Sequence, residues 1–177
     1  MVKPISTRRL VLRPLNDGDV PELAQLAGDW DVARMTARIP YPYSEELARE
    51  WVASLGADEF VRMVTLKGTL IGAVGYVAEA HGSAEIGYWI GKPWWGRGFA
   101  TEAAGALVRH CFTAGGFKTL TCCHFADNPA SARVIQKLGF TAAGECVTWS
   151  DARQGAFPAR TYTLSRPMSA AFWRRSA

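Results

Sequence analysis

The sequence predicts an α+β fold: a mixed, mostly antiparallel sheet of six to seven strands flanked by about four helices. Three observations predict it. Residues 8–13 set the apolar run Leu10-Val11-Leu12 between arginines, which reads as a half-buried first strand. Between residues 60 and 90, three strand-like runs follow one another across short turns, as in an antiparallel meander. A helical stripe behind Gly98 then separates that meander from the next strand, and a crossover of this length permits one parallel contact.

Taken in order, Arg8-Arg9-Leu10-Val11-Leu12-Arg13 is the first strand. Asn16-Asp17 can cap a helix whose apolar face is Val20, Leu23, Ala24, Leu26 and Ala27. The stretch Ile39-Pro40-Tyr41-Pro42-Tyr43 is not helical, because each proline pushes the residue before it into an extended conformation. Ser44 caps a second helix that runs to about Leu55 and stops at Gly56. Residues 60–66 and 70–77 are strands joined by the turn Lys67-Gly68, and His81-Gly82-Ser83 turns the chain into a third strand over 84–90. Behind Gly98, Ala104, Leu107, Val108, Cys111 and Phe112 recur at helical spacing as one buried stripe, ended by Gly115-Gly116. Residues 118–124 form a strand and 128–138 a short helix stopped by Gly139. Residues 140–149 and 160–165 are the last strands.

The chain of 177 residues suits one domain over 1–177 with a real core, and 49% apolar content argues against disorder. No apolar run approaches the roughly 18 residues needed to cross a bilayer. Thr7-Arg8-Arg9 stands where a signal core would be apolar, so a cytoplasmic protein without a membrane partner is expected. The net charge of +4 suits anionic ligands, but the basic residues are scattered, with adjacent pairs only at Arg8-Arg9 and Arg174-Arg175. That is too diffuse for a nucleic-acid groove. Cys111, Cys122, Cys123 and Cys146 form no C-x-x-C pair, and vicinal Cys122-Cys123 has poor disulfide geometry, so buried thiols and no metal site are expected.

The most informative stretch runs from Tyr88 through Trp94-Trp95-Gly96-Arg97-Gly98-Phe99-Ala100-Thr101. A strand enters a glycine-rich turn, and the turn opens a helix. Gly96 and Gly98 allow unusual backbone angles and leave room for a close ligand. The first helical N–H groups have no internal partners, and the helix dipole adds roughly half a positive charge there. This suits a diphosphate. The P-loop spacing is absent, and the third glycine of a dinucleotide fingerprint would fall at Thr101.

The segment Trp95-Gly96-Arg97-Gly98-Phe99-Ala100 resembles the acetyl-CoA signature [QR]-x-x-G-x-[GA] of the GNAT superfamily, with Trp95 in place of Gln or Arg. That departure is familiar in its RimJ/RimL-type branch of N-acetyltransferases. Residues 7–15 resemble the branch's opening strand and Glu85-Ile86-Gly87-Tyr88-Trp89-Ile90 its central strand. Asn128-Pro129-Ala130-Ser131 through Lys137-Leu138-Gly139-Phe140 resembles its second cofactor motif. The resemblance covers the chain from about Ser6 to Ser165.

It implies a GNAT fold with a splay between the central strand and the one after the crossover helix, in which the pantetheine arm lies. Backbone groups of Trp89 and Ile90 would pair with that arm, and the turn from Trp95 and Gly96 through Arg97, Gly98, Phe99 and Ala100 to Thr101 would hold the diphosphate. Asn128 and Ser131 match the family's polar pair beside the thiol; Asn128 is equally a plain helix cap. Arg133 and Lys137 are solvated charges or ligands of the 3′-phosphate. Many relatives use a tyrosine on the last helix to help the thiolate leave, but that place is Ile135 here, so the hydroxyl of Ser131 is the replacement candidate. Glu85 is the first candidate for general base, Glu145 the second, and His124 could orient a water. Tyr41 and Tyr88 are candidates for the acceptor site, whereas Tyr43 suits the core.

The implied activity is direct transfer of acetyl from acetyl-CoA to an amine. An α-amine with a pKa of about 8 costs roughly 1.4 kcal/mol to deprotonate near pH 7, and a lysine near 10.4 about 4.6 kcal/mol. With no strong base in view, the N-terminal amine of a protein is favoured, including ribosomal ones. A small-amine acetyltransferase (amino acid, polyamine or antibiotic) is the alternative, and a CoA-binding module without catalysis the other class. A homodimer is compatible with either. A covalent route through Cys122 or Cys123 is the less favoured mechanism.

Overall fold

The computed structural model describes residues 3–166, so Arg174-Arg175 lies outside the described residues. Among the described residues eight strands form one sheet in the order β1-β2-β3-β4-β5-β6-β8-β7. They are β1 (Ile5–Ser6), β2 (Leu10–Arg13), β3 (Glu59–Leu66), β4 (Thr69–Glu79), β5 (Ser83–Ile90), β6 (Thr119–Phe125), β7 (Thr141–Ser150) and β8 (Gly155–Ser165). Among the described residues five α-helices accompany them: α1 (Val20–Ala27), α2 (Trp30–Ala33), α3 (Glu45–Ser54), α4 (Phe99–Thr113) and α5 (Pro129–Lys137). Every neighbouring pair of strands is antiparallel except β5 and β6, on either side of the crossover helix α4.

The predicted counts of six to seven strands and about four helices are therefore each slightly low. The additions are the two-residue β1, paired with Leu12 and Val11, and the single turn α2, capped by the Asp29 carboxylate on the N–H of Asp31. Neither is long enough to display a period. The last strand begins at Gly155, five residues before the sequence expectation. Pro158 sits inside it without loss, because its backbone faces the end of β6, where its carbonyl accepts from Ala126 N–H.

The sheet has a core on each face. On one side α4 packs Leu107, Val108, Cys111 and Phe112 against Leu10, Leu12, Val64, Val74, Ile86 and Leu120, joined by Ile135 of α5. On the other side Val20, Leu23 and Ala24 of α1 and Ala48 of α3 meet Met63, Leu70 and Ala73. Covered on both faces, β4 is buried without alternation from Leu70 to Val74.

The feature that positions the site is where β5 and β6 part. Their parallel ladder joins residues 83–85 to residues 119–121 and goes no further. Beyond it, β5 stays on β4 as far as Ile90, and β6 stays on β8 as far as Phe125. A wedge-shaped gap opens between them.

Candidate active site

Backbone direction along the gap follows from one bond. Gly91 N–H donates to the Ile71 carbonyl at 2.8 Å, continuing the β4–β5 ladder. Alternation then turns the backbone of Trp89 toward Ala73 on β4, while Tyr88 and Ile90 turn theirs into the gap. Of Trp89 and Ile90, the pair expected to offer backbone groups, only Ile90 turns its backbone into the gap, together with Tyr88 two residues earlier. The Ile90 carbonyl already accepts the indole N–H of Trp95, which folds the turn back against the end of β5.

Side chains alternate as well. Ala84, Ile86 and Ile90 join the α4 core, with Tyr88 packed against it, whereas Trp89 packs against the α1/α3 core. Tyr88 reaches α5, its hydroxyl 2.8 Å from the Ser131 Oγ and 3.3 Å from the Ser131 carbonyl oxygen. Burial lifts the Tyr88 phenol well above its usual range, against a smaller opposing effect of the Ser131 hydrogen bond, so it keeps its proton. Asn128 Oδ1 accepts from the Ser131 N–H at 3.0 Å, a helix cap that also fixes Ser131 in the first turn. Ile135 is 1% exposed and belongs to the core.

The glycine turn has the backbone its sequence demands. Gly96 (φ 74°) and Gly98 (φ 77°) are both left-handed, a region costly for any side chain, and nothing lies within 4 Å of where a Gly96 side chain would start. Gly98 is the N-cap of α4, and the first intrahelical bond runs from Glu102 N–H to the Gly98 carbonyl at 3.1 Å. The N–H groups of Phe99, Ala100 and Thr101 precede it and have no partner within the helix. The Phe99 ring is buried with the Arg97 guanidinium 5.0 Å from its centre. This open cradle of amides at the mouth of the gap fits an anionic diphosphate.

The remaining candidates divide. Glu85 is partly buried, is the last β5 residue paired with β6, and lies on the α1/α3 face, opposite to Tyr88. Glu145 is on the edge strand β7, 81% exposed and 3.6 Å from Arg160, apart from the gap residues. His124 is buried, with one ring nitrogen 2.7 Å from the Phe125 carbonyl oxygen and the other 3.1 Å from the Tyr162 hydroxyl, so both are engaged in structure. Tyr41 is exposed and meets Trp30 edge-on at 5.0 Å, while Tyr43 packs into the α1/α3 core and burial pushes its phenol up to about 12. Arg133 and Lys137 are exposed on α5. All four cysteines are free. Burial pushes Cys111 and Cys122 up to about 12 and Cys123 to about 11. Among the described residues no group of three or more His, Cys, Asp or Glu side chains could hold a metal ion, and no helix is long and apolar enough to cross a membrane.

Two arrangements escaped sequence reasoning. The β7–β8 tip docks on the segment after α2 through Asp151 N–H to the Ala37 carbonyl, 2.9 Å. Arg153 in that tip lies between the Phe125 and Phe157 rings, 4.1 and 3.9 Å from their centres, and pairs with Asp127 beside Asn128 at 2.8 Å. Only the turn residues Asp151 and Gly155 hinted at the tip.

Residues 9–141 match the family model described as an acetyltransferase (GNAT) domain. An uncharacterized N-acetyltransferase of Bacillus subtilis, YoaA, is 33% identical over 100 residues, which are 55% of this chain and 56% of the relative's own length. Among solved structures, RimL, a ribosomal L7/L12 α-N-protein acetyltransferase in complex with coenzyme A, superposes with a TM-score of 0.82 at 21% identity. That superposition covers 92% of this chain and 98% of the other. A spermidine N-acetyltransferase from Vibrio cholerae, in complex with CoA and spermine, gives 0.78 at 21% identity over 90% and 97%.

Proposed function

Since the chain belongs to the acetyltransferase (GNAT) family, we propose that it transfers an acetyl group from acetyl-CoA directly to the N-terminal α-amine of a protein or peptide. The observation that carries this reading is the parting of β5 and β6 beyond Glu85 and Thr121, with the backbone of Tyr88 and Ile90 turned into the gap. It supports a slot in which those backbone groups pair with the pantetheine amides as an added strand would. The free amides from Phe99 to Thr101, flanked by Trp95, Gly96, Arg97 and Gly98, would take the diphosphate, as helix N-termini take anions.

The chemistry follows from what lines the slot. Backbone N–H groups near Tyr88 and Ile90 polarise the thioester carbonyl. The acceptor nitrogen bonds to the acetyl carbon, the carbon–sulfur bond breaks, and the amine's proton passes to Glu85. The Tyr88 hydroxyl donates a hydrogen bond to the Ser131 oxygen and keeps its proton, which leaves the Ser131 hydroxyl free to donate its own hydrogen bond to the departing thiolate. The acceptor would enter from the α1/α3 face, where Glu85 lies and where the Tyr41 loop leads into α3. Thiols held protonated by burial favour direct attack over a covalent cysteine intermediate.

An α-amine asks least of so modest a base, and the RimL structure named above acts on such an amine. The test is acetyl transfer from labelled acetyl-CoA to Ala- and Ser-initiated peptides, set beside spermidine and free amino acids. Peptide acetylation at the α-amine is expected. Turnover confined to spermidine or amino acids overturns the acceptor, and cofactor binding without turnover on any amine overturns the enzyme.

A further inference from the structure

A network outside the signature reaches the glycine turn from the start of the chain. In the bend between β1 and β2, Thr7 and Arg9 enclose the carboxylate of Glu102, which stands in the first turn of α4. Glu102 Oε1 accepts from the Thr7 hydroxyl at 2.6 Å and from the Arg9 backbone N–H at 2.8 Å, and Oε2 accepts from Arg9 Nε at 2.6 Å. Burial alone would raise this carboxyl, but the bonds from Thr7 and Arg9 outweigh it and hold it below the usual carboxylate range. The Arg9 fork continues: Nη1 donates to the Arg97 carbonyl at 3.0 Å, and the guanidinium lies 4.4 Å from the Phe99 ring centre.

Two consequences bear on an anion. A bare carboxylate in the first turn of α4 would cancel the positive potential that the free amides create, and Arg9 neutralises it. A trans peptide sets its carbonyl and the following N–H on opposite sides. Holding the Arg97 oxygen on Arg9 therefore turns the Gly98 N–H the other way, toward the open side of the turn. Arg9 also stands behind Gly98, its Nη2 3.5 Å from where a side chain there would begin.

We propose that Arg9 is a positioning residue for the diphosphate cradle, fixing the Arg97–Gly98 peptide and masking the charge of Glu102. This rests on the reading of the turn as the acetyl-CoA site. Arg9→Lys keeps the charge but not the fork, and Arg9→Ala removes both. The expected result for Arg9→Ala is a KM and calorimetric Kd for acetyl-CoA raised at least about tenfold, with kcat at saturating cofactor and acceptor KM within about twofold of wild type. Arg9→Lys should show a smaller rise in the same two constants and, without ligand, faster amide exchange at Gly98 and Phe99. A merely structural staple would lower the melting temperature without this split. Wild-type cofactor affinity in either variant, or unchanged exchange in Arg9→Lys, overturns the positioning role alone. A wild-type protein that takes up no acetyl-CoA overturns the functional reading beneath it.

Discussion

The Tyr88 and Ser131 hydroxyls lie 2.8 Å apart, joining β5 to the first turn of α5 at the gap between β5 and β6. A tyrosine hydroxyl thus reaches the first turn of α5 from β5, while Ile135, one turn further along the helix, is buried. Tyr88→Phe should lower kcat about tenfold and Ser131→Ala about 10²-fold, with acetyl-CoA affinity little changed. On the proposed mechanism, in which Tyr88 acts through Ser131, the double variant should be no slower than Ser131→Ala alone. Steady-state kinetics of the four proteins tests this, and multiplicative losses would show two independent roles.

Gly98 admits no side chain at low cost. Its φ of 77° imposes about 1–2 kcal/mol on any L-residue, although a Cβ would come no closer than 3.5 Å to Arg9, an ordinary contact. Gly98→Val should therefore distort the amides that follow and weaken acetyl-CoA binding at least about tenfold, a factor worth about 1.4 kcal/mol. Calorimetry checks it, and unchanged uptake would remove the turn from the site.

These positions also mark how far the sequence could be read. Gly96 and Gly98 were legible because a left-handed backbone leaves a trace in residue type, and the α4 stripe because burial on one helical face repeats. Residues 5–6 and 30–33 are too short to repeat anything. The Tyr88–Ser131 contact spans 43 residues and that of Arg9 with Glu102 spans 93, so both arise from topology and neither from local pattern. The reversal of Trp89 has the same origin, because which residues of β5 face the gap depends on its register with β4.

Cys122 provides a test of direct transfer. Burial first, then the neighbouring Cys123 and Glu85 charges, pushes its thiol up to about 12, leaving roughly one part in 10⁵ as thiolate at pH 7. With acetyl-CoA present and acceptor omitted, mass spectrometry of the intact protein and its peptides should find no acetyl adduct at Cys122 or Cys123. Iodoacetamide near neutral pH should spare Cys111 and Cys122 in the folded protein. A trapped acetyl-cysteine that is consumed when acceptor is added would establish a covalent route.

Away from the site, His110 sets part of the stability's dependence on pH. Its ring stacks on Phe60 at 4.7 Å, and the Arg62 guanidinium lies 3.8 Å from the centre of the same Phe60 ring. Arg62 is buried and makes no carboxylate pair among the described residues; its Nη1 donates to the Val61 carbonyl. Burial first, and the Arg62 charge second, hold the His110 pKa below its ordinary 6.5. A depressed histidine pKa means that the unfolded chain binds the proton more readily. The contribution of neutral His110 is therefore complete above about pH 6.5 and is lost as pH falls through the folded-state value. The carboxylates of Asp19 and Glu102, whose pKa values are also lowered, act in a separate and more acidic window. The melting temperature of the wild type should accordingly fall between pH 7 and 5. His110→Gln should flatten that fall, and Arg62→Met should reduce it by removing the second charge. Parallel melting curves across the series, with the three slopes equal, would show that the histidine titrates alike in both states.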